Sequence, residues 1–295
     1  MHLLMRTTAL VWPLVGLLLA LFPAAAVSAE LPSVPAGPPR RLAAPPEWLP
    51  HYDLDVRLDI AGHCARVHQR VTWTNRSAVP VHEIIFNAHS HYVVPKADVG
   101  LLAKTLEILR MNPDEGIYGS EPPFDLHRAA AGGQESAFCY AGDTATDLVV
   151  PLPGPLPPGQ SVTVDLDYTL HLPQKQGRWG QWEGVTFLSN WLPVVAVHDD
   201  QGWHPTPFVP WHQPFFNEAG LYTVRVTLPA DQKIATSGTV TGRHDLGGGM
   251  QQVDVTANGV RDFAFLCSAR FVEYTAEAPT LPGLPAVRLH CLAFP

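Results

Sequence analysis

The residue types that could do chemistry fall in a few short stretches. His82-Glu83-Ile84-Ile85-Phe86 opens like a zinc-peptidase helix, where two histidines at i and i+4 hold the metal and the glutamate acts as base. The second histidine position is Phe86, and the local pattern is that of a strand, so no catalytic zinc is predicted there. His89-Ser90-His91 has two-residue spacing, which on a strand turns both imidazoles to one side and could grip a metal. No carboxylate or cysteine lies near them in sequence, so a surface or loop pair is the first reading. There is no G-x-S-x-G nucleophile elbow, Walker loop or G-x-G-x-x-G, and Gly247-Gly248-Gly249 reads as a turn between strands. Cys64, Cys139, Cys267 and Cys291 form no C-x-x-C knuckle. They read as small buried hydrophobes, with three disulfide pairings open to an exported chain.

The most unusual stretch is aromatic: Trp179, Trp182, Phe187, Trp191, Trp203, Phe208, Trp211, Phe215 and Phe216, with His198, His204 and His212 among them. Five of the chain's eight tryptophans lie here, too many to be an accident of composition. Two readings stand side by side: a wall of a substrate cleft or docking face, and a packed loop region between sheets.

The elements that must position these residues are strands. The chain has 295 residues, enough for a large core, with 30 prolines and 23 glycines that suit short strands joined by turns. The net charge of −8, with no Lys/Arg run beyond Arg40–Arg41, excludes a nucleic-acid footprint. Met1–Ala29 reads as a signal peptide: Arg6, then an apolar run too short to span a bilayer, then small residues at Val27-Ser28-Ala29. Uncleaved, it would act as a membrane anchor, so the destination is periplasmic or extracellular, with no membrane span beyond the signal. Residues 30–50 read as a Pro/Ala-rich linker and 51–295 as the folded domain.

Within that domain Tyr52–Ile60, Val67–Thr74, Val162–Leu170 and Tyr222–Leu228 alternate apolar and polar residues with period two. Further strands are expected over Glu83–Ala88, Ser136–Tyr140, Asp147–Pro151, Ile234–Val240, Gln251–Ala257, Phe263–Cys267, Arg270–Tyr274 and Val287–Cys291. Val93–Met111 is read as a turn and then a strand over Thr105–Arg110, and Asn112–Gly133 as a long surface loop. Asn75-Arg76-Ser77 is read as a turn rather than a glycosylation site. The fold class predicted is all-β, a large antiparallel sandwich or saddle of about a dozen strands.

Several of these pieces, in order, resemble the aminopeptidase N family of zinc metallopeptidases (the gluzincins). YDLDVRLDI (Tyr52–Ile60), VTWTNRS (Val71–Ser77) and EIIFNAH (Glu83–His89) resemble its opening hairpin and third strand. NWLPVVAVHDDQGWH (Asn190–His204) resembles its segment before the paired strands, and GLYTVRVTLPADQKIATSG (Gly220–Gly238) and RDFAFLCSARF (Arg261–Phe271) resemble its later N-terminal strands. The resemblance covers the family's N-terminal β domain only. The Gly-x-Met-Glu-Asn loop, H-E-x-x-H and distant Glu of the catalytic domain do not occur here, and Ala286–Pro295 resembles the lead-in to that domain. It implies a scaffold and substrate-cleft domain of an exported aminopeptidase, non-catalytic alone. No catalytic or metal residue is assigned, and zinc is expected only in the catalytic domain. The partners implied are that metallopeptidase domain, in cis or in trans, and a peptide substrate. The family's cleft residue corresponds to a position within Thr186–Pro193, which makes Asn190 the candidate, with Trp191 shaping the wall. The alternative is a non-catalytic periplasmic binding or adaptor module that uses the Trp-rich face.

Overall fold

Alternation decides the architecture. Tyr52, Leu54, Val56 and Leu58 are each at most 2% exposed, whereas Asp55 and Arg57 between them are exposed. A strand places successive side chains on opposite faces, so this pattern fixes one wet and one dry face. The computed structural model describes residues 44–110, 113, 121–209, 216–277 and 288–295. The expected signal peptide and most of the linker lie outside the described residues. Close to the expected start of the domain, Leu49 is already buried and the Pro50 carbonyl accepts from Leu221 N–H at 2.9 Å.

Numbered along the chain, the strands are β1 (His51–Asp59), β2 (Cys64–Thr74), β3 (Val81–Asn87), β4 (Phe124–Ala131), β5 (Gln134–Glu135), β6 (Cys139–Ala141) and β7 (Asp147–Leu156). There follow β8 (Ser161–His171), β9 (Trp179–Trp182), β10 (Val185–Leu188), β11 (Val194–Val195), β12 (Val197–Asp199) and β13 (Gly202–His204). The last seven are β14 (Gly220–Pro229), β15 (Lys233–Thr236), β16 (Thr239–Gly247), β17 (Met250–Val260), β18 (Phe265–Ser268), β19 (Val272–Glu277) and β20 (Arg288–Ala293). The fold is all-β, as the alternation predicts, but the strands are shorter and more numerous than expected.

An eight-stranded sheet runs in the order β16-β17-β14-β1-β2-β8-β4-β5. Two four-stranded sheets, β15-β18-β10-β9 and β11-β3-β7-β6, share a continuous core with its dry face. That core joins Leu54, Val224 and Leu166 of the large sheet to Phe265 and Leu188 of one small sheet and Phe86 and Leu148 of the other. The pairing is antiparallel except that β1 and β14 run parallel, so one interior pair of the large sheet departs from a purely antiparallel saddle. Gly238 separates β15 from β16 and lets the chain change sheets. A Cβ there would lie 2.6 Å from the Thr256 carbonyl, so only glycine fits.

The wet face of the large sheet carries a row of charge with one residue from each strand. In order these are His244, Asp254, Arg225, Asp55, His68, Asp167, Arg128 and Glu135, alternating in sign when the imidazoles are protonated. Arg225 sits opposite both Asp254 and Asp55, Asp55 opposite His68, and His68 opposite Asp167. Arg225 binds Asp55 in bidentate fashion (Nη2 to Oδ2 2.9 Å) and also reaches Asp53. Asp167 accepts from His68 Nδ1 at 2.6 Å and from Arg128 Nη1 at 3.2 Å, and Arg128 pairs with Glu135 at 2.8 Å. His244 pairs with Asp254 at 2.8 Å.

Three expectations are corrected. Thr105–Arg110 is not a strand: α1 (Val99–Ile108) is a helix. Leu102 and Leu106 are buried one turn apart, and the Thr105 hydroxyl bonds back to the Leu101 carbonyl at 3.0 Å, so the four-residue period outweighs the alternation. The loop expected over Asn112–Gly133 contains β4, where Phe124, Leu126, Ala129, Ala130 and Ala131 are buried; an Ala-rich strand lacks the β-branched signal. Of the rest of that loop, 112 and 114–120 lie outside the described residues. Ser136–Tyr140 gives way to the short β5 and β6.

Candidate functional site

β9 and β10 pair as a short hairpin, and the chain leaves β10 into a segment, Ser189–Ala196, that is irregular apart from the two-residue β11 and passes through the interior. Where a buried segment lies outside regular structure it must find other partners for its backbone polar groups. Here the large sheet and its neighbours supply them. Gln69 Nε2 donates to the Pro193 carbonyl at 2.7 Å, and the Tyr168 hydroxyl in turn donates to Gln69 Oε1 at 3.0 Å. Ser90 Oγ donates to the Trp191 carbonyl at 2.6 Å. Val195 N–H donates to the Tyr52 hydroxyl at 3.1 Å, and burial pushes that phenol well above its ordinary range.

Asn190 holds the entry to this segment. It adopts φ 50°, a left-handed conformation that asparagine tolerates better than most residues. Its backbone N–H donates to Asp262 Oδ2 at 2.8 Å, and its side-chain Oδ1 accepts from Arg178 Nη1 at 3.2 Å. Asp262 also receives Ser189 Oγ at 3.4 Å, while its Oδ1 is buried without a partner among the described residues. Burial holds this carboxyl above the usual aspartate range against the opposing pull of those hydrogen bonds. Trp191 is fully buried: its Nε1 donates to the Phe263 carbonyl at 2.9 Å and its ring meets Phe265 edge-on at 6.1 Å. The two candidates therefore differ in kind. Asn190 is a clamped polar side chain with 8% of its surface exposed, and Trp191 packs behind it.

Most of the aromatic stretch is internal. Trp179, Trp191 and Phe208 belong to the core, while Trp182, Phe187 and Trp203 are half-buried. Trp203 and His198 pack around Trp73 at 5.2 and 5.7 Å. Trp211, His212 and Phe215 lie outside the described residues.

His89 and His91 sit in a 3-10 turn rather than on a strand. His89 Nε2 donates to the Thr206 carbonyl at 2.8 Å, and burial pushes its imidazole down to about 4. His91 Nδ1 donates to the Ala145 carbonyl at 2.6 Å and its ring stacks on Tyr140 at 3.6 Å. Both rings are committed to backbone carbonyls in different loops, an arrangement that does not fit a zinc site. Among the described residues no three His, Cys, Asp or Glu side chains converge as metal ligands. His82 and Glu83 lie on β3, as their strand-like surroundings predict. Asn75 is fully buried, its Oδ1 accepting from Ser77 N–H and Oγ at 3.0 and 2.8 Å, so the Asn75-Arg76-Ser77 stretch is a side-chain-locked turn. The four cysteines are free thiols, two buried (Cys64, Cys267) and two exposed (Cys139, Cys291).

The β19–β20 hairpin is amphipathic, and its apolar face is left largely uncovered. Its register pairs Val272 with Ala293, Tyr274 with Cys291 and Ala276 with Leu289, which gives one face made only of apolar side chains. Tyr274 is 54% exposed and Leu289 52%. The opposite face carries Glu273 paired with His290 at 3.0 Å and Glu277 with Arg288 at 3.7 Å. Glu273, His290 and Leu292 line a groove with β15 and β16, and the polar face is exposed to a similar degree as the apolar one, with Glu273 at 52% and His290 at 54%.

Sequence reasoning missed Asp262, Arg178 and Gln69, whose roles arise only from tertiary contacts; no local signal marks them. It also missed Lys175, buried three residues before Arg178, whose amine burial draws down to about 7.

The fold class is that of a multi-sheet antiparallel β domain. Solved structures similar to it include a two-domain M1 zinc metallopeptidase mutant bound to L-arginine, at TM-score 0.49 and 18% identity over 83% of this chain and 47% of that one. The same kind of enzyme bound to L-tryptophan gives TM-score 0.49 and 17% identity over 84% and 48%. The M1 zinc metallopeptidase from Deinococcus radiodurans gives TM-score 0.48 and 17% identity over 82% and 46%. The chain thus spans about half the length of these structures. No protein family's sequence model matches the chain, and no curated protein does.

Proposed function

We propose that this chain is the N-terminal β domain of an exported aminopeptidase N-like zinc metallopeptidase, a scaffold and cleft wall for a catalytic domain supplied in cis or in trans. The observation that carries this reading is the β19–β20 hairpin, whose apolar face leaves Tyr274 and Leu289 about half exposed. A two-stranded ribbon with a bare apolar face is not stable by itself and calls for a covering body. The hairpin's second strand lies in the stretch that resembles the family's lead-in to its catalytic domain. On this reading zinc, general base and amine-binding loop belong to that domain, and the substrate is a peptide cleaved from its N-terminus. Asn190 is the side chain offered to the cleft, held by Asp262 and Arg178, and Trp191 fixes the wall behind it. The domain works outside the cytoplasm.

The test uses the purified chain with zinc and aminoacyl arylamides. No turnover is expected from the chain alone. Hydrolysis abolished by a chelator would overturn the reading. A fluorescent apolar dye should bind the hairpin face, and Leu289→Ser should lower that signal several-fold without unfolding the domain. Undiminished dye binding would remove the hairpin as the docking surface.

A further inference from the structure

We propose a saccharide-binding site in a cavity of about 370 Å³ beside the β9–β10 hairpin, independent of the peptidase reading. Its lining comes from β9–β10, from the turn after β1, from Gln174, and from residues next to β15 and β18. This size is at the lower end of ligand pockets and suits one or two pyranose rings.

The chemistry of the lining selects the ligand. Trp182 is half-buried and makes no ring contact among the described residues; with Ile60 and Val185 it forms the apolar part of the wall. A flat indole of this kind matches the C–H face of a sugar ring. The polar part is built mainly from carboxamides, fixed by a one-way chain of hydrogen bonds. Gln174 Nε2 donates to His63 Nε2 at 3.2 Å, and His63 Nδ1 donates to Gln181 Oε1. Gln181 Nε2 donates to the Ile60 carbonyl at 3.2 Å and to Thr186 Oγ1 at 3.1 Å. That chain consumes Gln181 and His63 but leaves the carbonyl of Gln174 at the rim.

Gln232 supplies a second carboxamide. It is 9% exposed, it donates Nε2 to Asp231 at 3.1 Å, and its Oε1 has no partner among the described residues. That carbonyl is open to accept from a ligand hydroxyl at the cavity wall. Arg270 closes the rim: Nη1 donates to the Glu183 carbonyl at 2.8 Å, and the guanidinium lies 4.4 Å over Phe294.

The charged side chains in the lining, Glu183 and Arg270, offset each other, so a carboxylate or phosphate ligand finds no net positive field. An apolar ligand would strand Gln232 and Gln174. A polyol satisfies both requirements, since each hydroxyl donates and accepts as a carboxamide does.

The test is titration of the full chain with glucose, N-acetylglucosamine, cellobiose and chitobiose, followed by tryptophan fluorescence and calorimetry. At least one sugar should saturate with a dissociation constant on the order of 1 mM, as expected for a ligand this small. Trp182→Ala should weaken binding by roughly tenfold or more and remove the fluorescence change. Gln174→Ala, on an exposed rim residue, should weaken it roughly threefold to tenfold with unchanged thermal stability. Absence of saturation for all four sugars at roughly 50 mM, far above the expected constant, would overturn the proposal. So would binding that survives both substitutions in folded protein.

Discussion

Arg225→Met is the sharpest probe of the charge row, because it removes one cation from among three carboxylates and keeps the aliphatic stem. The side chains of Arg225, Asp53 and Asp55 are 34%, 49% and 52% exposed, so each pair is screened and contributes about 0.2–1 kcal/mol. Two such pairs, plus the repulsion left among Asp53, Asp55 and Asp254, give a loss of about 2 kcal/mol. For a domain of this size that is roughly 4–8 °C in Tm. The Arg225 hydrogen bond holds Asp55 below its ordinary range, and Gln252 and His244 do the same for Asp254. A carboxylate with a depressed folded value adds stability above its unfolded value of about 3.9, and that stability is lost as pH falls through the lower folded value. The difference between wild type and variant should therefore be full at pH 7, persist at pH 5 and shrink below about pH 4. Urea unfolding is the right assay, since it leaves ionic strength free, and added salt at about 1 M should reduce the difference at pH 7. A variant as stable as wild type at pH 7 in low salt, or a loss identical at pH 3 and pH 7, would refute the reasoning.

Three further outcomes are expected. His89 is buried with its imidazole drawn down to about 4, so folding favours the neutral ring. Stability should be full above about pH 6.5 and fall by up to roughly 3 kcal/mol on acidification toward pH 4, a slope that His89→Gln should flatten in pH-dependent urea melts. Asp262, raised by burial, is destabilising when ionised; Asp262→Asn should match or exceed wild-type stability at pH 7, with the difference vanishing below about pH 4. Trp191→Phe should cost about 2–4 kcal/mol by denaturant melts, since it leaves a void and strands the Phe263 carbonyl.

Much of the large sheet was legible because its strands are wet on one side: Tyr52–Leu58 and Tyr222–Leu228 declare their dry faces by alternation alone. Legibility failed where one period competed with another or where burial used small residues. Leu102 and Leu106 could sit on a strand or a helix until their shared burial is known, and Ala129–Ala131 carry no β-branched signal although all three are buried. The position of Asn190 could be singled out only through a family resemblance. What makes it a clamped residue is its left-handed backbone and the Asp262 carboxylate, 72 residues away in sequence. Pairing of this kind leaves no trace in local composition.

The parallel pairing of β1 with β14 carries a consequence for how the chain is made. Arg225 and Asp55 are 170 residues apart, yet their strands are neighbours in the interior of the large sheet. Until β14 has been synthesised, β1 has only β2 beside it and presents an open edge whose dry face carries Tyr52, Leu54, Val56 and Leu58. Contacts this distant make closure slow, and an unpaired apolar edge is an invitation to intermolecular pairing. The nascent domain thus passes through a period of aggregation risk that ends only when a strand from its second half arrives, and a chaperone that shields β1 during that interval would raise the yield of folded protein.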